Sequence, residues 1–177
     1  MQVTVKAKYN DAWLKAMKKV QTLGGVKGVK VGIVEKATND RGESIAFYAA
    51  CNEFGTRDIP SRPFMRMTAE KHSRQWAALF ARVTGDKIIQ DPKVVARAFE
   101  AIGRTAQADM RGMILSNIAP ANAPAYAAWK HNKPATSKSG NTTTGAAGGY
   151  TGTLVYTGQM LQSINYQLCN SEAELKK

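Results

Sequence analysis

The sequence predicts an α+β fold: a small antiparallel sheet of three to four strands packed against two long helices and a short N-terminal helix, with a long mobile loop. Three observations carry this. Apolar residues alternate over short runs at Gly28–Glu35, Ser44–Cys51 and Ser163–Cys169, and recur at three-to-four spacing from Phe64 to Val83 and from Val94 to Ile114. Between Ala119 and Gly152 neither period survives. At 177 residues and 44% hydrophobic, the chain fits a single domain over residues 1–177 whose core needs no disulfide or metal.

From Asn10 to Thr22 the spacing of Trp13, Leu14, Met17 and Val20 predicts a short amphipathic helix, capped by Asn10 or Asp11 and stopped by Gly24-Gly25. Val29, Val31 and Ile33 then alternate with smaller or charged neighbours, as do Ile45, Phe47 and Ala49. Thr38-Asn39-Asp40-Arg41-Gly42 between the two runs is turn chemistry, so they read as a hairpin. Pro60 and Pro63 remove backbone donors and push their predecessors towards extended conformations, which makes Ile59–Arg62 a stiff loop. Phe64, Thr68, His72, Trp76, Leu79, Phe80 and Val83 form the buried stripe of a helix that ends near Thr84-Gly85.

Asp91 as N-cap and Pro92 at the first helical position open a longer helix. Its stripe of Val94, Val95, Ala98, Phe99, Ile102, Ala106, Met110, Met113 and Ile114 runs as far as Asn117. Ala119–Gly152 is an extended loop, rich in proline and alanine and then in Gly, Ser and Thr, with three lysines and no acid. Ordering costs roughly 1 to 2 kcal/mol per residue, more than the apolar area of its Gly/Ser/Thr-rich part can offset, so it is expected to be mobile unless a partner holds it. A last strand over Ser163–Cys169 puts Ile164, Tyr166 and Leu168 on one face.

With 25 Lys and Arg against 13 Asp and Glu, the formal net charge is +12, and the pI is near 9.9. Such a chain is drawn to polyanions, whether nucleic acid, an acidic protein face or a membrane surface; a solvated surface that keeps the protein soluble accounts for the same charge. Met1–Lys30 holds seven basic residues and one acid, Val31–Ser61 three basic residues and five acids, so a basic face could meet an acidic face on an identical neighbour. The N-terminus lacks the apolar run of a signal peptide, and no stretch reaches the roughly 20 apolar residues of a membrane span, so a cytoplasmic protein is expected.

No residue pattern points to catalysis, to a cofactor or to a metal. Cys51 and Cys169 lack Cys-x-x-Cys or Cys/His spacing and read as reduced, buried thiols. His72 sits on an apolar helical stripe, and His131, in Trp129-Lys130-His131-Asn132-Lys133, has no companion that would complete a triad. Arg97, Arg104 and Arg111, seven residues apart on one helix face, form a row that could track DNA phosphates without reading sequence. Interspersed Glu100 and Asp109 allow the plainer reading of an exposed helix face.

Two short segments carry a resemblance. Tyr48-Ala49-Ala50-Cys51-Asn52-Glu53-Phe54-Gly55-Thr56 runs into Ile59-Pro60-Ser61-Arg62-Pro63-Phe64-Met65-Arg66, and Leu154-Val155-Tyr156-Thr157-Gly158-Gln159-Met160-Leu161-Gln162-Ser163-Ile164 follows much later. Together they resemble the tail-completion and head-to-tail joining (neck) proteins of tailed bacteriophages. Tyr156 stands where that family usually carries an aspartate.

The resemblance implies a structural virion protein, not an enzyme, at the neck or tail end of a long-tailed phage, passing through the host cytoplasm during assembly. Its implied partners are copies of itself in a ring, the head-tail connector, and tail tube or tail terminator proteins, with non-specific contact to packaged DNA and no membrane. The interface is expected to draw on Glu53, Phe54, Arg57, Arg62, Phe64 and Arg66, on Trp129, Lys130, His131, Lys133 and Lys138 in the long loop, and on Tyr150 and Tyr156. Within the first segment, Gly55 permits a tight turn, Phe54 is expected to anchor in the core, and Glu53 to pair with Arg57 or Arg62; Thr157 is expected to cap the turn before Ser163. Equally, these residues could serve only to shape the fold.

Overall fold

A computed structural model describes residues 25–33, 36–39, 41–89, 91, 93–132, 153–155 and 158–175. They contain β1 (Gly28–Gly32), α1 (Ile45–Phe54), α2 (Phe64–Thr84), a 3₁₀ turn (Gly85–Ile89), α3 (Val94–Leu115), α4 (Pro124–Asn132), α5 (Gln159–Ser163), β2 (Asn165–Cys169) and α6 (Glu172–Leu175). The architecture is α+β, with one antiparallel two-stranded sheet among the described residues. The helix predicted over Asn10–Thr22 lies outside them.

α3 occupies the centre, with α2 along one side and the sheet along another. Its continuous apolar stripe explains why: Val94, Ala98, Ala106, Met110, Met113 and Ile114 are all buried. Towards α2, the Phe80 and Phe99 rings meet at 5.2 Å, and Trp76 Nε1 donates to Asp109 Oδ2 at 2.8 Å. Towards the sheet, Val29 pairs with Leu168 and Val31 with Tyr166. Gly103 makes this approach possible, because a Cβ there would stand 2.8 Å from Tyr166 Cγ and 3.0 Å from Val29 Cγ2.

The expected start of α3 is corrected: it begins at Val94 with Lys93 at its N-cap and no side-chain cap, while Asp91 Oδ1 accepts from Lys93 N at 2.9 Å in the turn before it. The predicted end of α2 matches the observed Thr84. The core gathers Ala49, Phe64, Met110, Met113, Ile114, Ile118, Val155 and Ile164. Burying a side chain such as Phe64 or Ile164 stabilises by roughly 1.5 to 3 kcal/mol.

Three further expectations are corrected. Ser44–Cys51 is not a strand: Ser44 Oγ accepts from Phe47 N at 3.4 Å and caps α1, whose buried residues Ile45, Ala49 and Glu53 fall four apart. The alternation of Ile45, Phe47 and Ala49 misleads because Phe47 is not buried with the other two; it is 66% exposed. The turn does form, Asn39 Oδ1 accepting from Arg41 N and Glu43 N, but it leads into a helix and the hairpin is absent. Second, β2 starts at Asn165, because Gln159–Ser163 is helical and Ser163 Oγ donates back to Gln159 O at 2.8 Å. Third, Pro124–Asn132 is a helix inside the segment expected to be loop, opened by Pro124 at its first position and favoured by Ala125, Ala127 and Ala128.

Candidate functional site

The corner between α1 and α2 is built from the first segment singled out in the sequence. Pro63 precedes α2 and offers no side-chain acceptor, which leaves the first amides of the helix to be satisfied from elsewhere. Glu53, only 3% exposed, supplies the acceptor from the end of α1. Its Oε2 accepts from Met65 N at 2.9 Å and its Oε1 from Arg66 N at 3.1 Å, so one carboxylate closes the N-terminus of α2 and meets its positive dipole.

Arg66 adds Nε to Oε1 at 3.0 Å and Nη2 to Glu53 O at 2.7 Å. The expected pairing of Glu53 with Arg57 or Arg62 is therefore corrected: its partner is Arg66, one helical turn further on. Gly55 turns the chain at φ 79°, where a Cβ would stand 2.9 Å from Ser61 N. Thr56 N donates to Ile59 O at 2.8 Å and Ser61 Oγ to Glu53 O at 2.9 Å, which fix the proline loop against α1.

Arg62, 5% exposed, turns inward. Its backbone N donates to Asn52 O at 2.6 Å, Nε to Pro120 O at 2.8 Å, and Nη2 to Ala121 O at 3.2 Å and Asn122 Oδ1 at 3.3 Å. Burial holds the guanidinium below its usual pKa, with the nearby Tyr126 as a smaller opposing influence. Asn122 Nδ2 in turn donates to Thr153 O at 3.3 Å, and Thr153 Oγ1 to Ile118 O at 3.1 Å. Residues 118–122 and 153 are thus clasped to each other and to the α1–α2 corner.

Glu53, Arg62 and Phe64 therefore hold the fold together from inside, and their side chains contact this chain's own groups. Phe54 does not anchor in the core: it is 71% exposed, and the Arg66 guanidinium lies 5.4 Å from its ring centroid. Arg57 is exposed on the loop. Trp129 is 42% exposed on α4 and stacks with Tyr126 at 5.5 Å. Lys130 and His131 fall within α4; Lys133, Lys138, Tyr150, Tyr156 and Thr157 lie outside the described residues.

The second segment joins the same core. Val155 and Ile164 pack in one cluster with Phe64, and Leu154, Met160 and Leu161 lie against it. Two elements about a hundred residues apart in sequence meet at one junction, a juxtaposition that no local pattern revealed. Helical spacing of Ile45, Ala49 and Glu53 was the available signal for Glu53's inward position.

The arginine row is not presented to solvent as a free track. Arg97 pairs with Asp91. Arg104 Nη2 donates to Glu100 Oε1 at 2.6 Å, and its hydrogen bonds to Tyr166 and Glu100 raise its pKa. Arg111 Nη2 donates to Ile164 O at 2.8 Å, tying α3 to the start of β2. His72 Nδ1 lies 3.6 Å from Asp109 Oδ2 between α2 and α3. Among the described residues no group of three or more His, Cys, Asp or Glu could hold a metal, and no helix is long and apolar enough to cross a membrane.

A cleft of about 330 Å³ beside Thr38, Ile45, Gln162 and Asn165 is lined by neutral side chains. Comparison with family models, with curated proteins and with solved structures finds no match.

Proposed function

We propose that this chain is a structural virion protein of a long-tailed phage or prophage, which completes the tail end and helps to join tail to head in the neck through ring-forming protein contacts. The observation that carries the reading is that the two segments resembling joining proteins pack on one core, with Phe64 from the first against Val155 and Ile164 from the second. The first segment spends Glu53 and Arg62 on structure, Glu53 capping α2, which suits a rigid assembly component. The partners are other copies of the chain, the connector, and a tail tube or terminator protein.

The fuller sheet of three to four strands belongs to the same proposal. With Ser44–Cys51 helical, any added strand comes from outside the described residues or from a neighbour pairing at an open edge. The Ala119–Gly152 and Asp58–Arg66 segments are proposed to dock on neighbouring subunits or on the adjacent ring.

The test is electron microscopy of lysates from a host carrying the parent phage with this gene deleted. Full heads and separate tails accumulating side by side are expected. Intact infectious particles would overturn the reading. Replacing Gly140–Gly149 by a short linker is expected to spare the fold and reduce joined particles.

A further inference from the structure

The two long helices use their basic residues differently. On α3 each arginine has a partner within the chain: Arg97 pairs with Asp91, Arg104 with Glu100, and Arg111 donates to Ile164 O. On α2, Arg66 is likewise held, by Glu53. Lys71, Arg74 and Arg82 are not. All three are exposed, and among the described residues none of them makes an ion pair or a side-chain hydrogen bond.

These three cations form one row. Lys71, Arg74, Ala78 and Arg82 follow the three-and-four spacing that lines one side of a helix. At about 1.5 Å per residue, the row from Lys71 to Arg82 runs about 16 Å. Behind it the helix is fixed, because Glu53 closes its first turn, Phe64 and Thr68 are buried, Trp76 Nε1 donates to Asp109 and the Phe80 ring meets Phe99. Glu70, the single acid of α2, precedes Arg74 by one turn and does not pair with it, and in the 3₁₀ turn that follows Asp86 and Lys87 cancel.

The make-up of this face selects the partner. A helix that binds a membrane sinks an apolar side among the headgroups. The large apolar residue that α2 exposes is Met67, at 37%, and its aromatic residues Trp76 and Phe80 meet α3. A protein partner is gripped by aromatic anchors with charge depleted around them, and a single strand by bases stacked on aromatic rings; the row has neither. What fits it is a polyanion met through phosphates alone. One strand of a duplex carries a phosphate about every 3.4 Å of axis, so the row passes about five, and three long flexible side chains reach them without exact register.

We propose that the outer face of α2, through Lys71, Arg74 and Arg82, is a contact surface for the phosphates of duplex DNA, independent of base sequence. The proposal goes beyond the neck reading and does not depend on it. Three neutralised phosphates give a slope of about −2.7 for log affinity against log salt, so the contact weakens roughly 40-fold between about 50 and about 200 mM.

The test is fluorescence anisotropy of a labelled duplex of mixed sequence titrated with the full chain across that salt range. The row variant combines Lys71→Ala, Arg74→Ala and Arg82→Ala; alanine is the strongest helix former and the positions are exposed, so the wild-type melting temperature is expected to hold. A chain of net charge +12 attracts DNA over its whole surface, so the control removes equal charge at exposed positions off α2, with Lys36→Ala, Arg41→Ala and Lys93→Ala. At about 50 mM salt the row variant is expected to bind more than about tenfold more weakly than wild type, with a slope shallower by about 2.7, and the control to lose less than about threefold. Should the row variant melt lower than wild type, Lys71→Gln, Arg74→Gln and Arg82→Gln repeat the measurement.

Equal losses in the row variant and the control overturn the proposal, because net charge alone then accounts for binding. So does wild type that leaves the duplex free at about 50 mM salt, and so does tighter binding to a single strand of the same sequence or to vesicles rich in anionic lipid. The deletion phenotype is read separately: intact particles without the gene overturn the neck reading alone, and equal losses in the two variants overturn the α2 contact alone.

Discussion

Replacing Glu53 separates two roles that the carboxylate plays at once, capping a helix and pairing with an arginine. Glu53→Ala leaves Met65 N and Arg66 N without their acceptor, at 2.9 and 3.1 Å in the native protein, and removes the 3.0 Å partner of Arg66 Nε. A stranded amide costs about 1 to 3 kcal/mol when water is excluded. Met65 is half-buried and Arg66 exposed, so water can reach part of the vacated site, which puts the two amides together at about 2 to 4 kcal/mol. The ion pair adds little, because the Arg66 side chain is 55% exposed; pairs of that kind are worth about 0.2 to 1 kcal/mol.

Arg66→Ala should therefore cost under about 1 kcal/mol, with part of that from the contact to Phe54, while Glu53→Ala costs several times more. Glu53→Gln, which keeps one acceptor oxygen but places an NH₂ against the amides, should fall between them. For a domain of this size about 1 kcal/mol shifts Tm by roughly 2 to 4 °C, so Glu53→Ala is expected to lower it by about 4 to 16 °C in circular dichroism melts. A loss for Glu53→Ala no greater than that for Arg66→Ala would refute the reasoning, since the ion pair and not the cap would then be the main term.

Gly103→Ala gains about 1 kcal/mol of helix propensity but drives a methyl into Tyr166 and Val29, and overpacking of about 1 to 3 kcal/mol should win; a denaturant midpoint below wild type with unchanged slope checks it. Glu43 has a lowered pKa, first because Tyr48 donates to its carboxylate and then because Asn39 does, so its contribution is present above the unfolded value and lost as pH falls through the folded one. Glu43→Gln should accordingly flatten the acid side of a stability-versus-pH curve below about pH 5, and an unchanged acid limb would count against the Tyr48 contact. Because Arg97 and Arg104 are held by Asp91 and Glu100, replacing both with alanine should change duplex DNA affinity by less than about threefold in a fluorescence titration. A tenfold loss would restore the arginine row as a binding track.

The helices α2 and α3 were legible because their apolar residues recur at three-to-four spacing; the start of α2 is written in Pro63-Phe64, whereas α3 begins at Val94, past Asp91-Pro92. α1 was not, since Ile45-x-x-x-Ala49 and Ile45-x-Phe47-x-Ala49 describe the same residues at two periods, and only the exposed Phe47 decides between them. The segment containing Glu53, Gly55 and Arg62 was recognisable as a unit. Which arginine meets Glu53 was not, because Arg57, Arg62 and Arg66 all lie within reach in sequence and the choice depends on the angle at which α2 leaves the corner. α4 was hidden by the company it keeps, an alanine-rich stretch read together with the Gly, Ser and Thr that follow.

The clasp made by Ile118, Asn122 and Thr153 has an evolutionary side. It ties residues 118–122 to Thr153, the two ends of the stretch between them, with Arg62 and Tyr126 beside it. Lengthening a flexible loop whose ends are already joined costs little, about 0.6 kcal/mol for each doubling. Changes of length between residues 133 and 152 are therefore expected to cost little stability. Sequence there can drift in length while Phe64, Ile114 and Ile164 stay fixed by the core.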